Sequence, residues 1–346
     1  MIKNLVIAIK KANLPEEIFG PYSEHMKDEY KYIIGKIHPD KQKNNKEMFT
    51  ELFQKVQKLK IEAEIRVKEG IYGTTISSKV EFDPVIIRTK RNSYTLTSSL
   101  NDADICNVYK CTDKDKTPLI FKSAKIPGNN DLVLNEINTL NKIKNKFHHK
   151  MYSKFYSELF DSFKIINKDK KKLQIAILPD YRDKGYVSLL DVRHKFENEL
   201  DPRHIVWIFK RLLMAIGHIH NNNIVHGSLI PPHILVHPVD HSIKIIDWSY
   251  SITGSNKISV ISNKYSDFYP SEVFEKEIST GITDIYTIVK TMQYLCRGNT
   301  EMPLFMKRFF KGCLSHRSYD AWDLHEEFDG LVHEFYGKPK YVLMEI

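Results

Sequence analysis

Three side chains of this chain are of the types that handle anions and metal ions, and they fall in a telling order. Lys122 lies near the end of the apolar run PLIFKSAK, Glu136 lies in the next amphipathic stretch, and Asp247 closes IKIID. An ammonium that is to hold an anion needs a fixed carboxylate beside it. A further buried carboxylate next to phosphate oxygens is a natural magnesium ligand. Taken singly, the three residues read as a structural ion pair and a turn aspartate. The ordered set points to a shared cleft. A second constellation, His38-Pro39-Asp40 in IGKIHPDKQKN, lies between two helical patterns. It belongs to an exposed tip, where a rigid pair of helices can present a short loop to a partner.

The elements that must position these residues can be read from periodicity. Met26, Tyr30, Ile33 and Ile37 share one helical face, and Lys27 and Lys31 share a more polar one. Pro39 ends that helix. Phe49, Leu52, Val56, Leu59 and Ala63 stripe a second. Two such helices with a short connection form an antiparallel pair, since neither buries its stripe alone. EGIYGTTISSKVEFDP then ends the helical pattern, with a boundary near residue 72. YTLTSSL, ICNVYKCT and PLIFKSAK read as three short antiparallel strands, and LQIAILPDY as another. Between them a helix carries Leu134, Ile137 and Leu140 on one side with Glu136 beside them. After Asp191 the pattern is mainly helical, with Ile205, Ile208, Leu212, Ala215 and Ile219 on one helix and Leu324, Phe328, Leu331 and Phe335 on the last. The fold class is therefore α+β: an N-terminal helical hairpin, then a small β-rich lobe and a large helical lobe.

Composition narrows the function classes. The net charge is +9, from 52 Lys plus Arg against 43 Asp plus Glu, but the lysines are scattered, so a lysine-rich surface is preferred over nucleic-acid binding. Cys106, Cys111, Cys296 and Cys313 make no dense framework and fit free thiols in a reducing compartment. NLVIAI is too short for a signal peptide, and no run approaches the roughly 20 apolar residues of a membrane span. A cytoplasmic protein without a membrane partner is the expectation. His233, His237 and His241 repeat every four residues, as metal ligands on a helix do. Pro231, Pro232 and Pro238 interrupt that helix and no nearby Cys or Glu completes a set, so a zinc site is set aside.

The N-terminal hairpin resembles the J-domain of DnaJ-type co-chaperones through His38-Pro39-Asp40, the basic helix before it and MFTELFQKVQKL after it. The resemblance covers about 70 residues and implies docking on a DnaK-type chaperone ATPase through Lys27, Lys31, Lys36, His38, Pro39 and Asp40. Lys36 lies off the Lys27–Lys31 face. LPEEIFG stands where the family has a longer first helix and a short linker. No zinc-binding cysteine array of a full DnaJ chaperone is present.

Residues 90–337 resemble the protein kinase fold. Val108-Tyr109 matches its second strand, Lys122 the strand-three lysine, and Glu136 the partner glutamate of the C-helix. HGSLIPPHIL matches the catalytic loop and Asp247-Trp248-Ser249 the Asp-Phe-Gly motif. FYPSEVF matches the Ala-Pro-Glu region at Glu272, with Asp284 as anchor of the following helix and Arg317 as the salt-bridge partner of Glu272. The resemblance implies a cofactor site at Lys122, Glu136, Asp247 and His233 for ATP or ADP with Mg or Mn, with Asp247 as metal ligand.

Departures from the family pattern concentrate in two places. Its glycine-rich loop falls on Asn101, Ala103 and Cys106, which keeps backbone amides further from phosphates. Its catalytic aspartate is Ser228, its catalytic-loop lysine is Ile230 and its second metal-binding asparagine is His233. A serine hydroxyl is no ordinary general base at neutral pH. Imidazole suits softer ions than magnesium.

These residues lead to one ordering of functions. First comes a J-domain co-chaperone or adaptor that recruits a DnaK-type ATPase, with an inactive kinase-like domain (a pseudokinase) binding a client protein, nucleotide or partner. The alternative is an atypical ATP-dependent phosphotransferase with the J-domain as a targeting module. A structural adaptor using neither site is the third. The expected divisions are 1–72 for the helical domain, 73–89 for a connector, 90–181 for the small lobe and 182–346 for the large one.

Overall fold

The computed structural model describes residues 2–20, 26–41, 45–68, 72, 83–102, 105–146, 150–196, 199–254, 256–315 and 320–346. Contacts divide the chain into two units, Met1–Phe82 and Asp83–Ile346.

The first unit is built from α1 (Ile2–Lys11), α2 (Glu16–Phe19), α3 (Met26–Ile37) and α4 (Lys46–Lys68). The two stripes read from sequence meet: Met26, Ile33 and Ile37 of α3 are buried with Phe49, Leu52, Val56, Leu59 and Ala63 of α4, and Ile9 and Ala12 close the core from the N-terminal end. Pro39 ends α3 and opens a single 3-10 turn, Pro39–Lys41. LPEEIFG forms the one-turn helix α2, and its Glu16 is buried against the Arg66 guanidinium at 3.0 Å. Tyr72 Oη donates to the Gly20 carbonyl at 3.0 Å. This buried pair ties the N-terminal turn to the end of α4, a link invisible to periodicity because a charged residue on a helix ordinarily reads as surface.

The second unit opens with a six-stranded antiparallel sheet. Its strands are β1 (Val85–Arg88), β2 (Ser93–Asp102), β3 (Cys106–Thr112), β4 (Pro118–Ala124), β5 (Asp161–Ile166) and β6 (Lys172–Pro179), in the order β1-β2-β3-β4-β6-β5. From sequence, residues 85–88 belong to the connector; here they pair with β2, Ile87 opposite Tyr94. This edge strand leaves Val85 and Ile86 exposed, so no alternation marks it. Helix α5 (Asn130–Lys146) packs on the sheet and buries Val133, Glu136, Ile137 and Leu140, but Leu134 is exposed, contrary to the sequence stripe.

After the short helix α6 (Lys150–Ser153), the large lobe contains β7 (Val187–Ser188), α7 (Leu189–Phe196), α8 (Pro202–His220), β8 (Ile224–Val225), β9 (Ile234–Val236), β10 (Ile243–Ile245), β11 (Ile252–Thr253), α9 (Ser271–Phe274), α10 (Gly281–Leu295), α11 (Leu304–Ser315) and α12 (Ala321–Tyr336). Ile205, Ile208, Leu212, Ala215 and Ile219 are fully buried along α8, as their spacing predicts. Gly217 lets α12 approach closely, since a Cβ there would lie 2.7 Å from the Trp322 ring. Leu324 and Phe328 are buried on α12, whereas Phe335 is exposed.

One hairpin and one two-stranded pair frame the segments that carry His233 and Asp247. Strands β9 and β10 pair with each other, and β11 pairs with β8. His233 ends a 3-10 turn, and His237 and His241 flank the turn between β9 and β10, so the three histidines share no helix. No helix among the described residues is long and apolar enough to cross a membrane.

Candidate active site

Strand β4 delivers Lys122 to the face covered by α5, and α5 returns Glu136 to it; Lys122 Nζ lies 2.8 Å from Glu136 Oε2. The end of β10 brings Asp247, whose Oδ1 is 2.7 Å from the same nitrogen. Ser249 Oγ accepts the third ammonium proton at 2.9 Å. All three donors of the ammonium are thus used, which is what makes its burial tolerable. Glu136 is itself held, accepting from the Trp248 backbone N–H at 3.1 Å through its other oxygen. Of the three acceptors, solvent reaches Asp247: its side chain is 19% exposed, against 0% for Glu136. A cation entering from solvent meets the cluster there.

Electrostatics follow from this geometry. Burial would push the Asp247 carboxyl up, but the Lys122 ammonium and His233 overcome it and hold the group well below the usual carboxylate range. Burial likewise works against the Lys122 charge, and Asp247 and Glu136 reverse the sign, raising it well above an ordinary lysine. Both groups are therefore ionised at neutral pH. Asp247 sits in the left-handed region, φ 60° and ψ 70°, a conformation costly for a residue with a Cβ and held here by its partners.

The loop from His226 to His233 faces the other side of Asp247. His233 Nδ1 lies 2.9 Å from the Ser228 carbonyl, which can only accept, so this nitrogen carries the proton. The opposite nitrogen, Nε2, faces Asp247 Oδ2 at 3.3 Å. Ser228 is fully buried, and its Oγ is engaged by Tyr269 Oη at 2.7 Å and His233 Nδ1 at 3.2 Å. Ile230 is buried among Ile258, Tyr269 and Val273, an apolar plug. The loop is fixed from below by Asp284, which accepts from the backbone N–H groups of His226 at 2.7 Å and Gly227 at 2.8 Å and pairs with His220 Nε2 at 3.0 Å. Gly227 is obligatory: its φ is 78°, and a Cβ would lie 2.6 Å from the Tyr250 carbonyl.

A protein-family model, the protein kinase domain, matches residues 94–310. The chain belongs to this family. Its kinase-family domain is 30% identical over 112 residues to the Saccharomyces cerevisiae serine/threonine-protein kinase KSP1, an alignment covering 30% of this chain and 11% of that protein. It is 23% identical over 218 residues to the Caenorhabditis elegans calcium/calmodulin-dependent protein kinase type 1, covering 62% of this chain and 55% of that one. The chain thus spans little of the first relative's length and about half of the second's. Among solved structures, the BubR1 kinase domain and vaccinia related kinase 3 each superimpose with a TM-score of 0.55 at 14% identity. They cover 76% and 78% of this chain, and 92% and 97% of their own. The two-lobed fold expected from sequence is the fold observed.

The kinase-family domain brings Lys122, Glu136, Asp247 and His233 into one cluster. Ser228 and Ile230 share the loop but turn into the protein. Cys106 is buried at the start of β3; Asn101 lies on β2, and Ala103 and Arg317 lie outside the described residues. The donor set fits a nucleotide with a divalent ion: an ammonium for phosphate oxygens, and a carboxylate oxygen with an imidazole nitrogen 3.3 Å from it. The sequence marks Ser249 as the residue in place of the family glycine, which restricts the loop, but not its contact with Lys122; the Tyr269 contact with Ser228 carried no signal.

In the helical unit, Lys27 and Lys31 are exposed on α3, with Lys31 paired to Asp28 at 4.0 Å. Lys36 is half-buried, its ammonium over the Tyr32 ring. His38 sets its ring edge-on to Phe53 and accepts from the Asp40 backbone N–H at 3.3 Å, leaving the Asp40 carboxylate in solvent.

Proposed function

We propose that the kinase-family unit binds an adenine nucleotide with a divalent cation and acts as a slow ATP-dependent phosphotransferase. The observation that carries this reading is the three-way contact of Lys122 with Glu136, Asp247 and Ser249. Family membership supports it over the adaptor reading that stood first from sequence. Lys122 would hold phosphate oxygens by turning toward them the proton that now lies on Ser249 Oγ, and Asp247 with His233 Nε2 would hold the ion; the bound nucleotide supplies the phosphoryl group. Phosphoryl transfer leans on positioning and charge, so loss of a base leaves a slow reaction rather than none. Ser228 does not replace that base, because its hydroxyl is buried and bonded to Tyr269 and His233. The missing group corresponds to about 10²–10⁴-fold in rate.

A second reading, nucleotide binding without transfer, draws on Ile230, a buried apolar residue where the family pattern puts a lysine on the reacting side. Incubation with labelled ATP, Mg or Mn and protein acceptors separates the two. Label transfer that vanishes in Asp247→Ala supports the phosphotransferase. No label in any condition, with nucleotide still bound, supports the pseudokinase.

The helical unit is proposed to dock on a DnaK-type ATPase and to bring it to a client of the whole chain, in a reducing compartment such as the cytoplasm. Its support is the exposed Asp40 at the tip of a buried hairpin, with Lys27 and Lys31 on the adjoining helix. Stimulation of ATP hydrolysis by the intact chain should be lost in His38→Gln and Asp40→Asn while helical content stays constant. Equal stimulation by all three would refute it.

A further inference from the structure

Helix α5 carries a second row of side chains beside Glu136. Asn135, Thr139 and Lys142 stand at i, i+4 and i+7, one face of the helix. All three meet the segment after Asp247. Asn135 Nδ2 donates to the Ser249 carbonyl at 3.1 Å and the Ser251 carbonyl at 2.7 Å. Thr139 Oγ1 and Ser251 Oγ are 2.8 Å apart and buried. Ser251 Oγ donates in turn to the Trp248 carbonyl at 2.7 Å, so it accepts from Thr139. Lys142 Nζ reaches Thr253 Oγ1 at 3.2 Å on the exposed rim.

The seam continues into the ion cluster. The Trp248 backbone N–H donates to Glu136 Oε1, and Ser249 Oγ lies between Lys122 and Glu136. Trp248 is fully buried, packed edge-to-face with the His226 ring at 4.6 Å between ring centroids, with its indole N–H on the Ile245 carbonyl at 3.2 Å. The segment that α5 grips is therefore anchored in the large-lobe core. A bond lost from the seam releases α5, and with it Glu136, from the loop that carries Asp247.

From this geometry we infer that Asn135, Thr139 and Ser251 are positioning residues that latch α5 to the Asp247 loop, holding Lys122, Glu136 and Asp247 assembled before nucleotide arrives. None of the three bonds to Lys122, Glu136 or Asp247; Asn135 reaches Ser249 only at its backbone carbonyl. They act through helix position alone. The inference rests on the nucleotide-binding reading for its functional consequence, but the latch itself is measured without nucleotide.

The test is amide hydrogen–deuterium exchange on the full chain over α5 and residues 247–253, with calorimetric ADP titration in parallel. The variants are Thr139→Val, which keeps shape and removes the hydroxyl, Thr139→Ser, which keeps the hydroxyl, and Asn135→Asp, which turns an acceptor toward two carbonyls. Without nucleotide, wild type and Thr139→Ser should protect α5 equally. Thr139→Val and Asn135→Asp should exchange there about 10-fold faster, the scale of one buried hydrogen bond, while α8 and α10 stay unchanged and so report an intact fold. ADP affinity should fall about 10-fold in those two and recover in Thr139→Ser. Wild-type exchange in Thr139→Val, or a Thr139→Ser variant as loose as Thr139→Val, would overturn the latch. A wild type that fails to bind ADP while its α5 is protected would overturn the nucleotide reading and leave the latch standing.

Discussion

The two walls around Asp247 have been built for different ends. On the β4–α5 wall Lys122 and Glu136 serve an ion cluster: Lys122 is buried with three acceptors, and Glu136 is held by a backbone N–H and a hydroxyl. On the catalytic-loop wall polar groups serve one another. Ser228 bonds to Tyr269, and Ile230 fills a hydrophobic patch. His233 alone looks both ways, with Nδ1 on the Ser228 carbonyl and Nε2 toward Asp247. On the proposed function, binding and transfer are separable within one cleft. Binding needs a few desolvated charges in fixed places, whereas transfer also needs groups aimed at the acceptor, and those have been turned inward.

The largest expected effect comes from breaking the first wall. Lys122→Met leaves the buried Glu136 and the half-buried Asp247 carboxylates without their cation. Removal of one partner from a buried ion pair costs about 3–5 kcal/mol. Chemical denaturation should show that loss, together with loss of nucleotide affinity. A variant as stable as wild type would mean the cluster is not the anchor of the small lobe.

The next effect comes from acid and reads the loop wall. His226 is buried and neutral: Nε2–H donates to the Ile246 carbonyl, and Nδ1 accepts from the Ser228 N–H. A second proton on Nδ1 would face that N–H. Burial lowers the group to about 4, against an ordinary value of 6.5. Below pH 6.5 the unfolded chain therefore takes up a proton that the folded one refuses, so stability falls as pH drops from 6.5 toward 4. The full contribution is about 3 kcal/mol. Unfolding free energies measured at each pH should follow this slope, and His226→Gln should flatten it. His204 and His241, also lowered by burial, add to the slope and remain in the variant.

The architecture was legible wherever a physical period was strong. The α4 stripe and the α8 row are buried as read, the α3 stripe is buried except for the half-buried Tyr30, and Lys122, Glu136 and Asp247, read as an ordered set, meet in one cluster. What was not legible has a common cause. Edge strand β1 has no buried alternate face. Glu16 and Arg66 are charged residues inside a core, and the Asn135–Thr139–Ser251 seam joins residues more than a hundred positions apart. Such contacts depend on tertiary placement, which neither period nor composition encodes. Ser228 shows the same limit: its type announced a lost base, but only its contacts show that the hydroxyl is spent on Tyr269.

The smallest effect belongs to that serine. Ser228→Ala should cost about 1–3 kcal/mol of stability through lost buried hydrogen bonds, yet leave nucleotide affinity within about twofold. Any phosphoryl transfer should change by less than the 10²-fold floor typical of a lost acid–base group. A larger fall in transfer would return Ser228 to the chemistry.

The account stands on the claim that the Lys122–Glu136–Asp247 cluster holds a nucleotide with its ion. Calorimetric titration of the full chain with ATP, in Mg or Mn and in chelator, measures this directly. Saturable binding that weakens in chelator and disappears in Asp247→Ala is the predicted result. No binding by the wild type in either ion, or binding that Asp247→Ala leaves intact, would contradict it.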